Sequence, residues 1–93
     1  MDIVFEALAD GTRRKILELL SERSMTAGEI ASFFQISKPS LSHHLKRLEQ
    51  AGLVTVRKEG RFMLYTQNGI AFKSVLKWLY QTAGNVWMLR EDG

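Results

Sequence analysis

The stretch Ser37-Lys38-Pro39-Ser40-Leu41-Ser42-His43-His44-Leu45-Lys46-Arg47-Leu48 concentrates the residues of this chain that could do chemistry. Leu41, Leu45 and Leu48 recur at helical spacing and point into a core. The opposite side carries Ser40, His43 and Arg47, flanked by Lys38, Pro39, Ser42 and Lys46. It is basic, rich in short hydroxyls and nearly free of carboxylates. A helix of this kind suits the major groove of DNA, where Lys and Arg meet phosphates or guanine edges and Ser and His reach base edges at short range. Ser37 is placed to cap the helix, and a helix start also favours a phosphate.

The charge distribution singles out the same region. The net charge is only +3, but six cations (Lys38, Lys46, Arg47, Arg57, Lys58, Arg61) fall between Ser37 and Arg61, opposed by Glu49 and Glu59 alone. The excess positive charge therefore lies on one helix and the hairpin after it, as expected for a polyanion partner. Arg57, Lys58 and Arg61 surround the hairpin tip and are candidates for phosphate or minor-groove contact. Arg13 and Arg14 are expected either to meet phosphates or to lie over the second helix.

Other chemistries fit poorly. The chain has no cysteine, which removes disulfides, thiolate ligands and thiol nucleophiles and fits a reducing cytoplasm. Adjacent helical residues point about 100° apart, so His43 and His44 cannot chelate one ion together. His44 is expected at the edge of the core, hydrogen-bonded, with His43 turned outward. No activated nucleophile, carboxylate pair or phosphate-binding glycine loop is present, so no enzyme and no cofactor are expected. No apolar run spans a bilayer, and Glu6, Asp10, Arg13 and Arg14 interrupt any leader-like segment, so a cytoplasmic location is expected.

The elements that must position these residues follow from periodicity. Residues 2–9 read as a first helix with Ile3, Val4, Ala7 and Leu8 on one side. Asp10 or Thr12 can cap a second helix over about 13–21. Thr26 and Glu29 have capping-box spacing at the start of a third. The fourth helix follows Ser37, with Pro39 tolerated in its first turn and Gly52 placed to end it. Leu53–Val56 and Phe62–Thr66 alternate as strands around Gly60. From about Ile70 the helical period returns, with a weak point at Gly84-Asn85. The expected fold is mainly α with a small β-hairpin wing: a five-helix winged helix-turn-helix. Residues 1–93 make one domain, with the helix-turn-helix at about 26–51, the wing at about 53–66 and dimerisation helices at about 2–9 and 70–90. The last helix has more apolar surface than one small core needs. Phe72, Val75, Trp78, Leu79 and Val86, with Trp87, are expected in a two-fold interface with Ile3, Val4 and Leu8 of the first helix.

Four segments also look like a known family. Phe5 to Asp10 with Thr12 to Leu17, Ser37 to Leu45, Ala51-Gly52-Leu53-Val54, and Gly60-Arg61 ahead of Tyr65 together resemble ArsR-type transcriptional repressors over about residues 2–80. Met25 to Ala31, taken with Ser-Lys-Pro-Ser, is most similar to an autorepressor branch of that family. The resemblance implies a homodimeric repressor that binds double-stranded DNA at a palindromic operator, with no small-molecule substrate. For the autorepressor branch it also implies release by a protein partner at the membrane. Two features depart from the family. Gly11 stands where the family usually has Pro, and the metal-sensing sets are missing: there is no Cys, and residues 70–90 contain no His, Asp or Glu. No metal site is therefore expected. A protein-interaction module is the rival class, since a winged helix can also serve as a rigid adaptor.

Overall fold

The computed structural model describes residues 2–92, with side chains described for residues 2–84. In chain order the elements are α1 (Asp2–Leu8), α2 (Gly11–Leu20), β1 (Met25–Thr26), α3 (Ala27–Ala31), α4 (Lys38–Gln50), β2 (Val54–Glu59), β3 (Phe62–Gln67) and α5 (Gly69–Asp92).

Local chemistry explains most of the boundaries. Asp10, in extended conformation, accepts the Arg13 N–H at 3.0 Å and so caps α2, which therefore starts earlier than a Thr12 cap would allow. Thr26 and Glu29 complete a reciprocal capping box on α3: the Thr26 hydroxyl accepts the Glu29 N–H, and the Glu29 carboxylate accepts the Thr26 N–H. Ser37 accepts the Ser40 N–H at the start of α4. That helix ends in a Schellman arrangement: Gly52 has φ 75°, its N–H reaches the Glu49 carbonyl, and the Leu53 N–H reaches the Leu48 carbonyl. The hairpin turns through Gly60-Arg61, with Glu59 opposite Phe62 and Gly60 at φ 60°, the sign a type II′ turn needs at its first central residue.

The sheet has three antiparallel strands in the order β1-β3-β2. Strand β1 is an addition to the expected two-stranded hairpin. It is two residues long, with Met25 opposite Tyr65 and Thr26 opposite Leu64, and Ser24 and Thr66 share a hydroxyl hydrogen bond at 2.7 Å beside it. A two-residue strand is too short for alternation to reveal. Its effect is to clamp the base of the wing to the segment that opens α3.

The core is built from Ile16, Leu17 and Leu20 of α2, Ile30 of α3, Leu41, Leu45 and Leu48 of α4, and Leu53 and Val54 beside the wing, with Met25 and Ala7. Fully burying a Leu or Ile side chain stabilises by about 1.5–3 kcal/mol, so these contacts fix α4 from behind and leave its other side to solvent. The wing is joined to this body by polar bonds. Asn68 donates from its side chain to the Gly52 carbonyl and from its N–H to the Leu53 carbonyl, and Gln67 donates to the Leu17 carbonyl. Helix α5 continues through Gly84 without a stop. At about 1.5 Å per residue its 24 residues extend about 36 Å.

Candidate nucleic-acid interface

Helix α4 has a buried apolar stripe, and its solvent side is displaced slightly from the side the sequence suggests. Ser37, Lys38, Pro39, Ser42, His43 and Lys46 are exposed. Ser40 is half-buried, with its N–H bound to the Ser37 hydroxyl. Arg47 is exposed but not free: its Nη1 donates to Glu6 Oε1 on α1 at 2.7 Å. The expected trio of Ser40, His43 and Arg47 is therefore divided. His43 faces outward, with Ser42 and Lys46 as its open neighbours, while Ser40 and Arg47 lie toward the body. The cause is α1, a short helix packed beside α4 whose Glu6 attracts the Arg47 guanidinium; sequence periodicity contains no signal for that neighbour.

His44 takes the core-edge position. Its Nδ1 is 3.3 Å from Arg13 Nη1 and 3.7 Å from Asp10 Oδ2. Nδ1 thus lies between a guanidinium, which can only donate, and a carboxylate, which can only accept. Arg13 does more than lie over its helix. Its Nε donates to the Ala7 carbonyl at 2.8 Å and its Nη2 to the Glu6 carbonyl at 3.0 Å, and Arg14 donates to the Leu8 carbonyl at 2.9 Å. These are the carbonyls that the end of α1 leaves without intrahelical partners. The two arginines close α1 and are occupied there. Asp10 is held below the usual carboxylate range, first by the Arg13 N–H it accepts and then by the nearby His44 and Arg13 charges, against the opposing effect of burial. Arg13, Asp10 and Glu6 form a polar cluster that sequence reasoning missed. The only hint was two adjacent arginines one helical turn after a helix break.

On the wing, Arg57 donates through Nε and Nη2 to Glu59 Oε1. Lys58 and Arg61 are exposed and make no ion pair among the described residues. The cationic character of the tip therefore rests on two side chains rather than three. Tyr65 lies in the body of the wing, opposite Met25 and Val56, where burial raises its phenol above the ordinary range and the Glu49 charge adds to the effect.

Away from this surface, the described side chains of α1 and α5 bury little. Val75, expected in an interface, is only 7% exposed in the single protomer. Phe72, Val4 and Leu8 are partly buried against the core. Ile3, Leu76, Trp78, Leu79 and Tyr80 remain exposed, and Trp78 packs edge-on against Phe5 of α1 with ring centroids 5.3 Å apart. Val86 and Trp87 lie outside the described side chains. No group of three His, Cys, Asp or Glu side chains able to hold a metal ion occurs among the described residues.

Residues 10–56, from the α2 cap through the helix-turn-helix and into β2, match the model for bacterial regulatory proteins of the arsR family. The chain belongs to the ArsR family. It is 47% identical over 79 residues to the transcriptional repressor SdpR of Bacillus subtilis, covering 85% of this chain and 88% of that protein. It is 35% identical over 77 residues to the arsenical resistance operon repressor of Staphylococcus aureus, covering 83% and 74%. A crystal structure of an ArsR family transcriptional regulator superimposes with a TM-score of 0.84 at 33% identity, covering 94% of this chain and 89% of that one. This ArsR-family chain is thus a DNA-binding transcriptional regulator with a winged helix-turn-helix fold, in a class of proteins that are not enzymes. Among its described residues, no helix is long and apolar enough to cross a membrane.

Proposed function

We propose that this ArsR-family regulator is a homodimeric repressor acting in the cytoplasm, in which each protomer lays α4 into the major groove of a palindromic operator and sets its wing against the adjacent backbone. The observation that carries this reading is the outward side of α4. Ser42, His43 and Lys46 project from a helix whose other side is locked into the core by Leu41, Leu45 and Leu48. A rigidly held helix with short polar and cationic side chains on its free side meets the requirements of groove reading. Ser37, Lys38 and Pro39 at its start, Ser40 at its margin, and Arg57, Lys58 and Arg61 on the wing complete the candidate DNA surface, with Arg47 turned to Glu6 of α1.

Dimerisation rests on the apolar side chains of α1 and α5, with Ile3, Trp78 and Leu79 at its centre. One protomer leaves them open, and two-fold pairing would cover them with the same surface of a second copy. Repression is supported by the likeness to SdpR, a transcriptional repressor. A signal other than metal is supported by the donor set: the sequence has no Cys, and α5 contributes no His. The autorepressor resemblance favours, as that signal, a protein partner at the membrane.

The test is selection of binding sites from random duplex DNA, followed by mobility shift at two salt concentrations and sedimentation of the complex. A two-fold symmetric site bound by two protomers, with affinity falling steeply as salt rises, is expected. Failure to select any sequence would overturn the reading in favour of a protein-interaction module.

A further inference from the structure

Helix α1 is seven residues long and has only Ala7 fully buried. A helix this short does not stand alone in water; Val4 and Leu8 pack partly against the core and Phe5 meets Trp78 edge-on, and a set of polar bonds adds to these contacts. Those bonds converge on α4. Arg13 donates to the Glu6 and Ala7 carbonyls of α1 with two of its nitrogens and faces His44 Nδ1 of α4 with a third. Glu6 is then joined to Arg47, nearly one turn further along α4, at 2.7 Å. Asp10 Oδ2 holds the Arg13 N–H at 3.0 Å and lies 3.7 Å from the same His44 nitrogen. Helix α1 is thus attached to α4 at two points about one turn apart. One attachment would act as a pivot, whereas two set an angle.

We infer that Glu6, Arg13 and Arg47 are positioning residues that hold the reading side of α4 at a set angle to α1, and that Arg47 serves this link rather than a DNA phosphate. The inference rests on the dimeric operator reading, in which α1 lies at the two-fold axis. The angle between α1 and α4 then fixes the separation and twist of the two recognition helices, and so the half-site spacing the dimer accepts. Without the link each α4 would still reach its own groove, but the two would no longer be in register across the operator.

The test uses the intact protein with Glu6→Gln, Arg47→Gln, the double variant, and Arg13→Lys, which keeps the charge but cannot reach three acceptors at once. Binding is measured on the selected operator, on operators with one base pair added or removed between half-sites, and on unrelated duplex; melting temperature is recorded for each variant. For a link, Glu6→Gln and Arg47→Gln each weaken operator binding about three- to tenfold, and the double variant is no worse than either single one. Arg13→Lys weakens operator binding in the same direction. Affinity for unrelated duplex stays level in the Glu6 and Arg47 variants, and the preference for the natural spacing shrinks. Loss of stability alone would weaken binding to all duplexes and leave the spacing preference intact, which overturns the inference. So does a Glu6→Gln protein that binds as well as or better than wild type while Arg47→Gln binds less and loses salt dependence: Arg47 would then be a DNA contact restrained by Glu6. A wild-type chain with no sequence selectivity would sink the operator reading itself, and the link with it.

Discussion

Arg57 and Glu59 lie on the same face of β2, and the Arg57 guanidinium donates from Nε at 3.1 Å and Nη2 at 2.8 Å to a single carboxylate oxygen of Glu59. The pair is exposed and worth little to stability, about 0–1 kcal/mol. Its consequence is electrostatic: the acidic residue nearest the hairpin turn is neutralised, and one of three wing cations is committed to it.

The wing cations should therefore contribute unequally to DNA affinity. Replacing Lys58 or Arg61 with Ala is expected to lower the slope of log affinity against log salt by about 0.9, the effect of one phosphate contact. Arg57→Ala should change it less, because the substitution also releases Glu59 beside the duplex. Salt titration of operator binding for the three single variants checks the order. Equal slopes for all three and wild type would place the wing off the DNA.

On the recognition helix, Ser42→Ala and His43→Ala should relax the preference for operator over random duplex by about 1–3 kcal/mol per lost base contact, with folding nearly unchanged. Ser40→Ala should have a smaller effect, since Ser40 is half-buried. Competition mobility shifts against single-base operator variants would locate the position each side chain reads.

Leu79→Glu should separate the dimer. Leu79 is 45% exposed in the protomer, and a carboxylate there would have to be desolvated in an apolar interface. A helical monomer by sedimentation is expected, with operator affinity reduced by about 10²–10⁴ as the second half-site contact ceases to be intramolecular. A dimer that persists would move the interface elsewhere.

Asp10 should make the fold acid-sensitive. Its carboxyl is held below the ordinary value by the Arg13 N–H and the neighbouring cations, so the folded state binds its proton less readily than the unfolded chain. That stability is fully present above the unfolded pKa and is lost as pH falls through the lower folded one. Asp10→Asn keeps a capping side chain and removes the charge. It should be less stable than wild type at neutral pH, and the difference should close as pH drops below about 4. Asp10→Ala, which removes the cap as well, should cost about 1 kcal/mol at neutral pH. Urea unfolding across this pH range is the measurement.

Much of the fold was legible because its causes are local. The Thr26–Glu29 capping box, the Ser37 cap with Pro39 behind it, the Gly52 stop and the Gly60 turn each depend on residues within a few positions of one another, and each occurs where the spacing places it. The outward position of His43 and the core-edge position of His44 follow from which side of α4 its three leucines occupy.

Sequence alone thus determined the helices, their caps, the wing turn and the helix carrying the candidate DNA surface, because period and capping act within one or two turns of chain. Tertiary structure decided which of its cations are free. The Glu6–Arg47 pair spans 41 positions and the Arg13–His44 contact 31, and Met25–Thr26 is a strand only because β3 lies beside it. Val75 is 7% exposed in the protomer, whereas its apolar character alone says nothing of how much of it packing covers. A long-range ion pair or a two-residue strand leaves no periodic trace. Its partners are chosen by packing, which brings distant charges and backbone edges within reach of one another.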